Sequence, residues 1–166
     1  MYTRNLLWLV SLVSAAPLYA ADVPANTPLA PQQVFRYNNH SDPGTLDPQK
    51  VEENTAAQIV LDLFEGLVWM DGEGQVQPAQ AERWEILDGG KRYIFHLRSG
   101  LQWSDGQPLT AEDFVLGWQR AVDPKTASPF AGYLAQAHIN NAAAIVAGKA
   151  DVTSLGVKAT DDRTLE

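Results

Sequence analysis

The sequence of 166 residues contains no cysteine, so it can form no disulfide and offers no thiolate to a metal ion or a substrate. Basic residues are also scarce, with 12 Lys and Arg against 20 Asp and Glu and a net charge of −8. Nucleic acid and anionic membrane surfaces repel a chain of this charge. We therefore expect neither of them as a partner.

Long apolar runs are absent as well. The run Leu6–Val13 has eight residues, whereas a membrane-spanning helix needs about 20. Arg4 precedes this run, and Leu18, Tyr19 and Ala20 before Ala21 form a plausible cleavage site. The sequence therefore predicts a signal peptide over residues 1–20, cleaved after Ala20, and an exported, soluble, acidic product.

Motifs for catalysis are missing too. There is no G-x-S-x-G elbow and no phosphate-binding loop with its lysine. The three histidines, His40, His96 and His138, are too far apart for a zinc site. We expect no metal, no cofactor and no enzymatic activity, and an enzyme hypothesis rests only on the number of unassigned carboxylates. From the residues alone, the sequence predicts an exported α/β binding or structural protein.

The clearest local pattern is a strand, a turn and a capped helix in succession. Arg92–Arg98 alternates in polarity as a half-buried strand does, and Ser104–Gly106 is a turn signal. Thr110 is the predicted N-cap of the following helix, with Asp113 as its capping-box acid. Asp123, which precedes a proline, ends the helix. This pattern predicts scaffold rather than a site.

The remaining elements follow from shorter signals, and together they indicate a mixed α/β fold. Four tryptophans after residue 20 are predicted to pack in the core, although an aromatic binding wall is the alternative. The other predicted strands lie at Val34–Tyr37, Leu67–Met70, from Val76, around Trp84 and Ile86, at Val157–Ala159 and from Thr164; the other predicted helices lie from Thr55, with Gln58 as capping partner and Gly66 as C-cap, and at Pro129–Gln136 and Ala142–Ala147.

Two carboxylates and an amide, Glu52, Glu53 and Asn54, precede the helix predicted from Thr55. Acids at a helix N-terminus compensate the helix dipole, and the residues alone favour that interpretation. A ligand-facing role is the alternative. At the other end of the sequence, a predicted strand has only three residues, Thr164 to Glu166, so we expect a truncated chain.

The segment AERWEILDGGKRYIFHLRSGLQWSDGQPLTAEDFVLGWQRAVDPKTASPF, Ala81–Phe130, resembles the family 5 extracellular solute-binding proteins of the oligopeptide and dipeptide type. Thr45–Leu67 and Leu155–Glu166 match the same family in the same order. The family consists of periplasmic receptors for ABC importers. The sequence also resembles a member described as a probable deoxycholate-binding protein, so a bile acid stands beside a peptide as expected ligand.

The resemblance implies a type II periplasmic binding-protein fold with two lobes and an extra domain, truncated here before the second lobe. Residues 21–64 would open the first, split domain, and residues 65–166 would form most of a smaller accessory domain. It also implies a periplasmic monomer that delivers a peptide or another amphipathic solute to a membrane permease. The alternatives are a fragment without solute-binding activity and a chaperone-like binding module.

The resemblance also implies the site. In peptide-binding relatives, the extended stretch before the first helix pairs with the ligand backbone, and here that stretch is Glu52, Glu53 and Asn54. Glu52 matches an acid that lines a side-chain pocket. Asn54 replaces an apolar residue whose main chain binds the peptide, and Phe130 replaces a tyrosine. Both replacements point toward a less peptide-like or more amphipathic ligand.

Overall fold

The computed structural model describes residues 27–28, 30–32 and 34–166, so the predicted signal peptide lies outside the described residues. Contacts divide the chain into two units, Met1–Asn38 and Asn39–Glu166. In the first unit, the rings of Phe35 and Tyr37 stack with centroids 6.0 Å apart. The predicted strand at Val34–Tyr37 is wrong: the described residues of this unit contain no strand, and all four of these side chains are exposed.

The second unit contains four α-helices and six β-strands, and the prediction of a mixed α/β fold is confirmed. None of its helices combines the length and the apolar content that a membrane span requires. In chain order the elements are α1 (Asn54–Leu63), β1 (Val68–Met70), β2 (Val76–Pro78), β3 (Ala81–Leu87), β4 (Arg92–Leu97), α2 (Ala111–Val122), α3 (Ala131–Gln136), α4 (Ala142–Val146), β5 (Ala159–Asp161) and β6 (Thr164–Leu165), with short 3-10 turns at Pro124–Thr126 and Val152–Ser154.

The strands form two antiparallel sheets, a ribbon of β1 and β2 and a four-stranded sheet in the order β3-β4-β6-β5. The β3–β4 hairpin turns at Asp88, Gly89 and Gly90, all at positive φ, and both of its strands were predicted from the sequence. Two glycines suit such a turn because they adopt positive φ without steric cost. β6 lies between β4 and β5. The strand predicted at Val157–Ala159 begins two residues later than expected.

Helix α2 confirms the capping prediction. It starts directly after Thr110, and the Asp113 carboxylate accepts hydrogen bonds from the Thr110 N–H at 2.7 Å and from its hydroxyl at 3.0 Å. The Ala111 N–H donates to the carbonyl of Asp162 at 2.9 Å, in the β5–β6 turn. The cap therefore also fixes α2 against the four-stranded sheet.

The core lies between α2, α3, α4 and the four-stranded sheet. Its largest fully buried side chains are Leu97, Ile145, Leu165 and Val122. Of the four tryptophans predicted to pack in the core, only Trp118 packs against it. Trp84 is half-buried outside the core, Trp69 is 54% exposed and Trp103 is 42% exposed. Trp69 belongs to a ribbon of only two strands, and Trp103 lies in a turn, so neither is enclosed on all sides.

Helix α1 corrects three predictions. Its N-cap is Glu53 rather than Thr55, and no side chain caps the helix. It ends at Leu63, and the extended Phe64 takes the C-cap position that was predicted for Gly66. Leu61 and Leu63 remain exposed, and α1 makes no extensive contact with another helix or strand of the described chain. Helix α3 likewise starts later than predicted, at Ala131.

Candidate functional site

The stretch before α1 presents an extended main chain to solvent. Val51 is buried and anchors the stretch, whereas Glu52, Glu53 and Asn54 are exposed. Glu53 has extended geometry, with φ −90° and ψ 140°. Its carbonyl accepts the Ala57 N–H at 2.9 Å, which is the first hydrogen bond of the helix. Among the described residues, nothing hydrogen-bonds the main-chain N–H or C=O of Glu52. This geometry can accommodate a second extended chain.

The side chain of Glu53 is directed toward the preceding loop. A β-carbon added to Gly44 would lie 2.9 Å from Glu53 Oε1, so the carboxylate lies close against the Gly44 backbone. Because α1 has no side-chain cap, the predicted capping role of these acids is not observed. Their charge still lies at the positive end of the helix dipole.

The loop before this stretch is attached to α2 by charged hydrogen bonds. Arg120 donates to both carboxylate oxygens of Asp47, at 2.8 and 2.6 Å, and to Gln49 Oε1 at 2.7 Å. The amide of Gln49 donates in turn to the carbonyl of Gly117 at 2.5 Å. The hydrogen bond from Arg120 lowers the pKa of Asp47 to about 2, and the same contact raises the pKa of Arg120.

Phe130 lies elsewhere on the surface. It is the N-cap of α3, its side chain is 47% exposed, and its N–H donates to Ser128 Oγ at 3.2 Å. In the part of the chain that the structure describes, no hydrogen bond or ring contact joins Phe130 to Glu52, Glu53 or Asn54. Glu52, Glu53 and Asn54 form one group at the start of α1, and Phe130 stands apart from it. A ligand-binding role for all four stays a prediction.

A groove that the sequence did not predict lies at the C-terminal end of α1. It encloses about 470 Å³. Within it, the side-chain oxygen of Gln80 is shielded from solvent and has no hydrogen-bond partner. The exposed Leu63 and Phe64 at the end of α1 are a signal for such a groove, but no sequence pattern indicated which residues would lie opposite them. The apolar lining residues are Leu63, Phe64, Trp103, Leu109 and Phe114.

No cluster of three potential metal ligands is present in the described ranges. The three histidines lie on separate elements. His96 contacts Glu85 Oε1 through Nε2 at 2.8 Å, in an exposed pair on the β3–β4 hairpin. The surface features described above are an open extended backbone and an apolar groove, and neither brings a nucleophile and a base together.

The chain is similar to known proteins along most of its length. Residues 75–166 match the family model described as "Bacterial extracellular solute-binding proteins, family 5 Middle". The periplasmic oligopeptide-binding protein OppA of Salmonella typhimurium is 50% identical over 158 residues, which are 95% of this chain and 29% of the relative. The periplasmic murein peptide-binding protein MppA of Escherichia coli is 46% identical over the same shares. The chain thus spans about 29% of the length of these relatives.

Solved structures of similar proteins lead to the same relatives. The Escherichia coli murein tripeptide-binding protein MppA superposes with a TM-score of 0.71 at 48% identity, over 74% of this chain and 24% of its own. Haemophilus influenzae OppA in complex with the peptide RPPGFSPFR gives a TM-score of 0.73 at 45% identity, over 77% and 25%. These relatives are named for oligopeptides and murein peptides. The expected resemblance to a deoxycholate-binding member is not supported.

Proposed function

This chain belongs to the family 5 bacterial extracellular solute-binding proteins, and on that premise we propose that it provides a peptide-binding surface for an ABC importer. In this proposal, the chain acts in the periplasm after cleavage behind Ala20, as a monomer, and a membrane permease accepts the peptide. Residues 21–64 then open the split first domain, and residues 65–166 form most of the accessory domain.

The observation that supports this proposal most strongly is the unpaired main chain at Glu52. An extended peptide binds an exposed extended segment by forming main-chain hydrogen bonds, as an added strand does. Such recognition tolerates varied side chains, because the bonds involve only groups that all peptides share. The relatives named above bind oligopeptides and murein peptides, which are ligands of this chemical class.

Side chains around Glu52 would then determine which peptides bind most tightly. Glu52 places an exposed carboxylate beside the ligand, and the Glu53 carboxylate against Gly44 adds negative charge nearby, which favours peptides with a free amino group or a basic side chain. Phe130 offers an apolar ring without a hydroxyl. Its participation requires that a ligand span the distance between the start of α1 and the start of α3.

Nuclear magnetic resonance of the nitrogen-15-labelled chain tests this proposal. We expect tri-alanine to shift the amide resonances of Glu52 and Glu53 in a concentration-dependent manner. The affinity will be low, because a single wall removes little of a ligand's surface from water. Deoxycholate, titrated in parallel, should leave these two resonances unchanged.

A matched ligand sharpens the test. Tri-alanine methylated on its central peptide nitrogen keeps the same side chains and termini but loses one main-chain donor. Weaker shifts with the methylated peptide support recognition through the main chain. If tri-alanine leaves Glu52 and Glu53 unaffected, or if deoxycholate alone shifts them, the proposal is wrong.

A further inference from the structure

Resting on the proposed function, we infer that Arg120 is a positioning residue for peptide binding. It lies on α2, outside the stretch before α1 that carries the proposed main-chain contacts. Its guanidinium instead holds the loop that leads into that stretch. The inference assigns Arg120 an indirect role: it fixes the main chain of Glu52 and Glu53 in the extended conformation that a peptide can pair with.

The geometry of this contact is that of a strong, orienting pair. Both carboxylate oxygens of Asp47 accept from separate guanidinium nitrogens of Arg120, at 2.6 and 2.8 Å. A two-point contact between a planar guanidinium and a carboxylate fixes orientation as well as distance. The two residues are 73 positions apart in sequence, so the pair joins separate parts of the fold.

Gln49 extends the contact toward the binding stretch. Its side-chain oxygen accepts from Arg120 at 2.7 Å, and its side-chain amide donates to the carbonyl of Gly117 at 2.5 Å. Its own main-chain N–H donates to Asp47 Oδ1 at 3.1 Å. Gln49 is therefore held from both sides, only three residues before Glu52.

Other anchors of this stretch are few. Every hydrogen bond from residues 45–53 to distant parts of the described chain ends on α2, at Arg120 or Gly117. The buried side chain of Val51 is a further attachment. Because the stretch belongs to no sheet, its extended conformation depends on these contacts. Without Arg120, a peptide would have to order the loop as it binds.

Replacing Arg120 by Gln tests the inference, with Arg92→Gln as the matched control. Arg92 also forms a salt bridge, with Asp88 at 3.2 Å, and its side chain is 44% exposed against 46% for Arg120. It lies on the β3–β4 hairpin and contacts no residue of the stretch before α1. We expect Arg120→Gln to weaken tri-alanine binding about tenfold, because ordering a single residue on binding costs about that much. Arg92→Gln should stay within about twofold of the parent.

Three further readouts separate positioning from general stability. In Arg120→Gln without ligand, the amide resonances of Glu52 and Glu53 should move, while the midpoint of thermal unfolding falls no more than in Arg92→Gln. Arg120→Lys, which keeps the charge but not the two-point contact, should restore part of the affinity. Adding Asp47→Asn to Arg120→Gln should weaken binding no further, because both changes remove the same contact.

The possible failures are distinguishable. If the parent chain binds no tri-alanine, the proposed function is wrong and this inference falls with it. If the parent binds but Arg120→Gln retains its affinity, or leaves the Glu52 and Glu53 resonances unmoved, only the positioning role is refuted. A loss of affinity equal to that of Arg92→Gln also refutes it.

Discussion

Two regions of the second unit, one around α2 and one around α1, differ in how far their apolar side chains are buried. Around α2, the side chains of Leu97, Val122 and Leu165 are almost completely buried within the chain itself. Around α1, the side chains of Leu63 and Phe64 remain exposed. The first region supplies stability. The second exposes backbone and apolar surface, and surfaces of that kind commonly mark places where a protein binds something.

The largest predicted effect distinguishes these regions by matched leucine replacements. Leu97→Ala removes a fully buried side chain and should lower the free energy of unfolding by about 2 to 5 kcal/mol. Leu63→Ala removes one that is 61% exposed and should change it by less than about 0.5 kcal/mol. Urea unfolding of both variants provides the comparison. Equal losses would mean that α1 is packed as tightly as the sheet.

The two helix starts provide a second comparison. Asp113→Ala removes the acceptor of two hydrogen bonds at the start of α2, and it should cost about 1 kcal/mol of unfolding free energy. Thr55→Ala, at the position that the sequence had suggested as the cap of α1, should have no measurable effect, because no side chain caps that helix. Denaturant midpoints measure both, and a destabilised Thr55→Ala variant would restore the original capping prediction.

The contact between Asp47 and Arg120 predicts an acid-dependent effect. The Asp47 carboxyl has a pKa of about 2 in the folded chain, below the ordinary 3.8. A carboxyl with a lowered folded pKa stabilises the fold above pH 3.8, and this contribution disappears as the pH falls toward 2. Because solvent screens the pair, we expect a loss below about 1 kcal/mol.

Unfolding curves of the parent and of Asp47→Asn measure this contribution. The stability difference between them should be present at neutral pH and should shrink between pH 4 and pH 2. A difference that stays constant across that window would show that the charge of Asp47 is not involved.

The smallest expected effect on stability concerns the groove. The aromatic part of a dye such as anilinonaphthalene sulfonate should bind there, because Phe64 and Trp103 line the groove and are partly exposed. Phe64→Ser should reduce dye fluorescence while changing the unfolding free energy by less than about 0.5 kcal/mol. Ile86→Ser, at an exposed apolar residue of β3 outside the groove, should leave the fluorescence unchanged. Equal reductions of dye fluorescence in both variants would indicate that the dye binds exposed apolar residues in general and not the groove.

Sequence patterns predicted the α2 region well because its signals are local. The capping pair of Thr110 and Asp113 and the turn at Ser104 to Gly106 each act within a few residues. The same reasoning failed at Val34–Tyr37 and at α1. An apolar run there predicts burial, but burial depends on what the rest of the chain places beside it.

The candidate site was only partly accessible from sequence. The resemblance to a family identified Glu52, Glu53 and Asn54, and the structure places them together on an exposed segment that leads from the extended Glu53 into the first residue of α1. No pattern predicted that Arg120 would hold Asp47, since 73 positions separate them. The groove at α1 was missed because its lining residues come from separate parts of the sequence. Contacts between positions that are distant in sequence are seen only in the folded structure.

Residue-resolved hydrogen exchange, with and without tri-alanine, tests the difference between the two regions most directly. We predict that amides of α2 exchange only through global unfolding, and that amides of α1 exchange faster through local opening. Tri-alanine should slow exchange at Glu52 and Glu53 and leave α2 unchanged. Equal protection of α1 and α2 in the free chain, or no response at Glu52 and Glu53, would contradict the account.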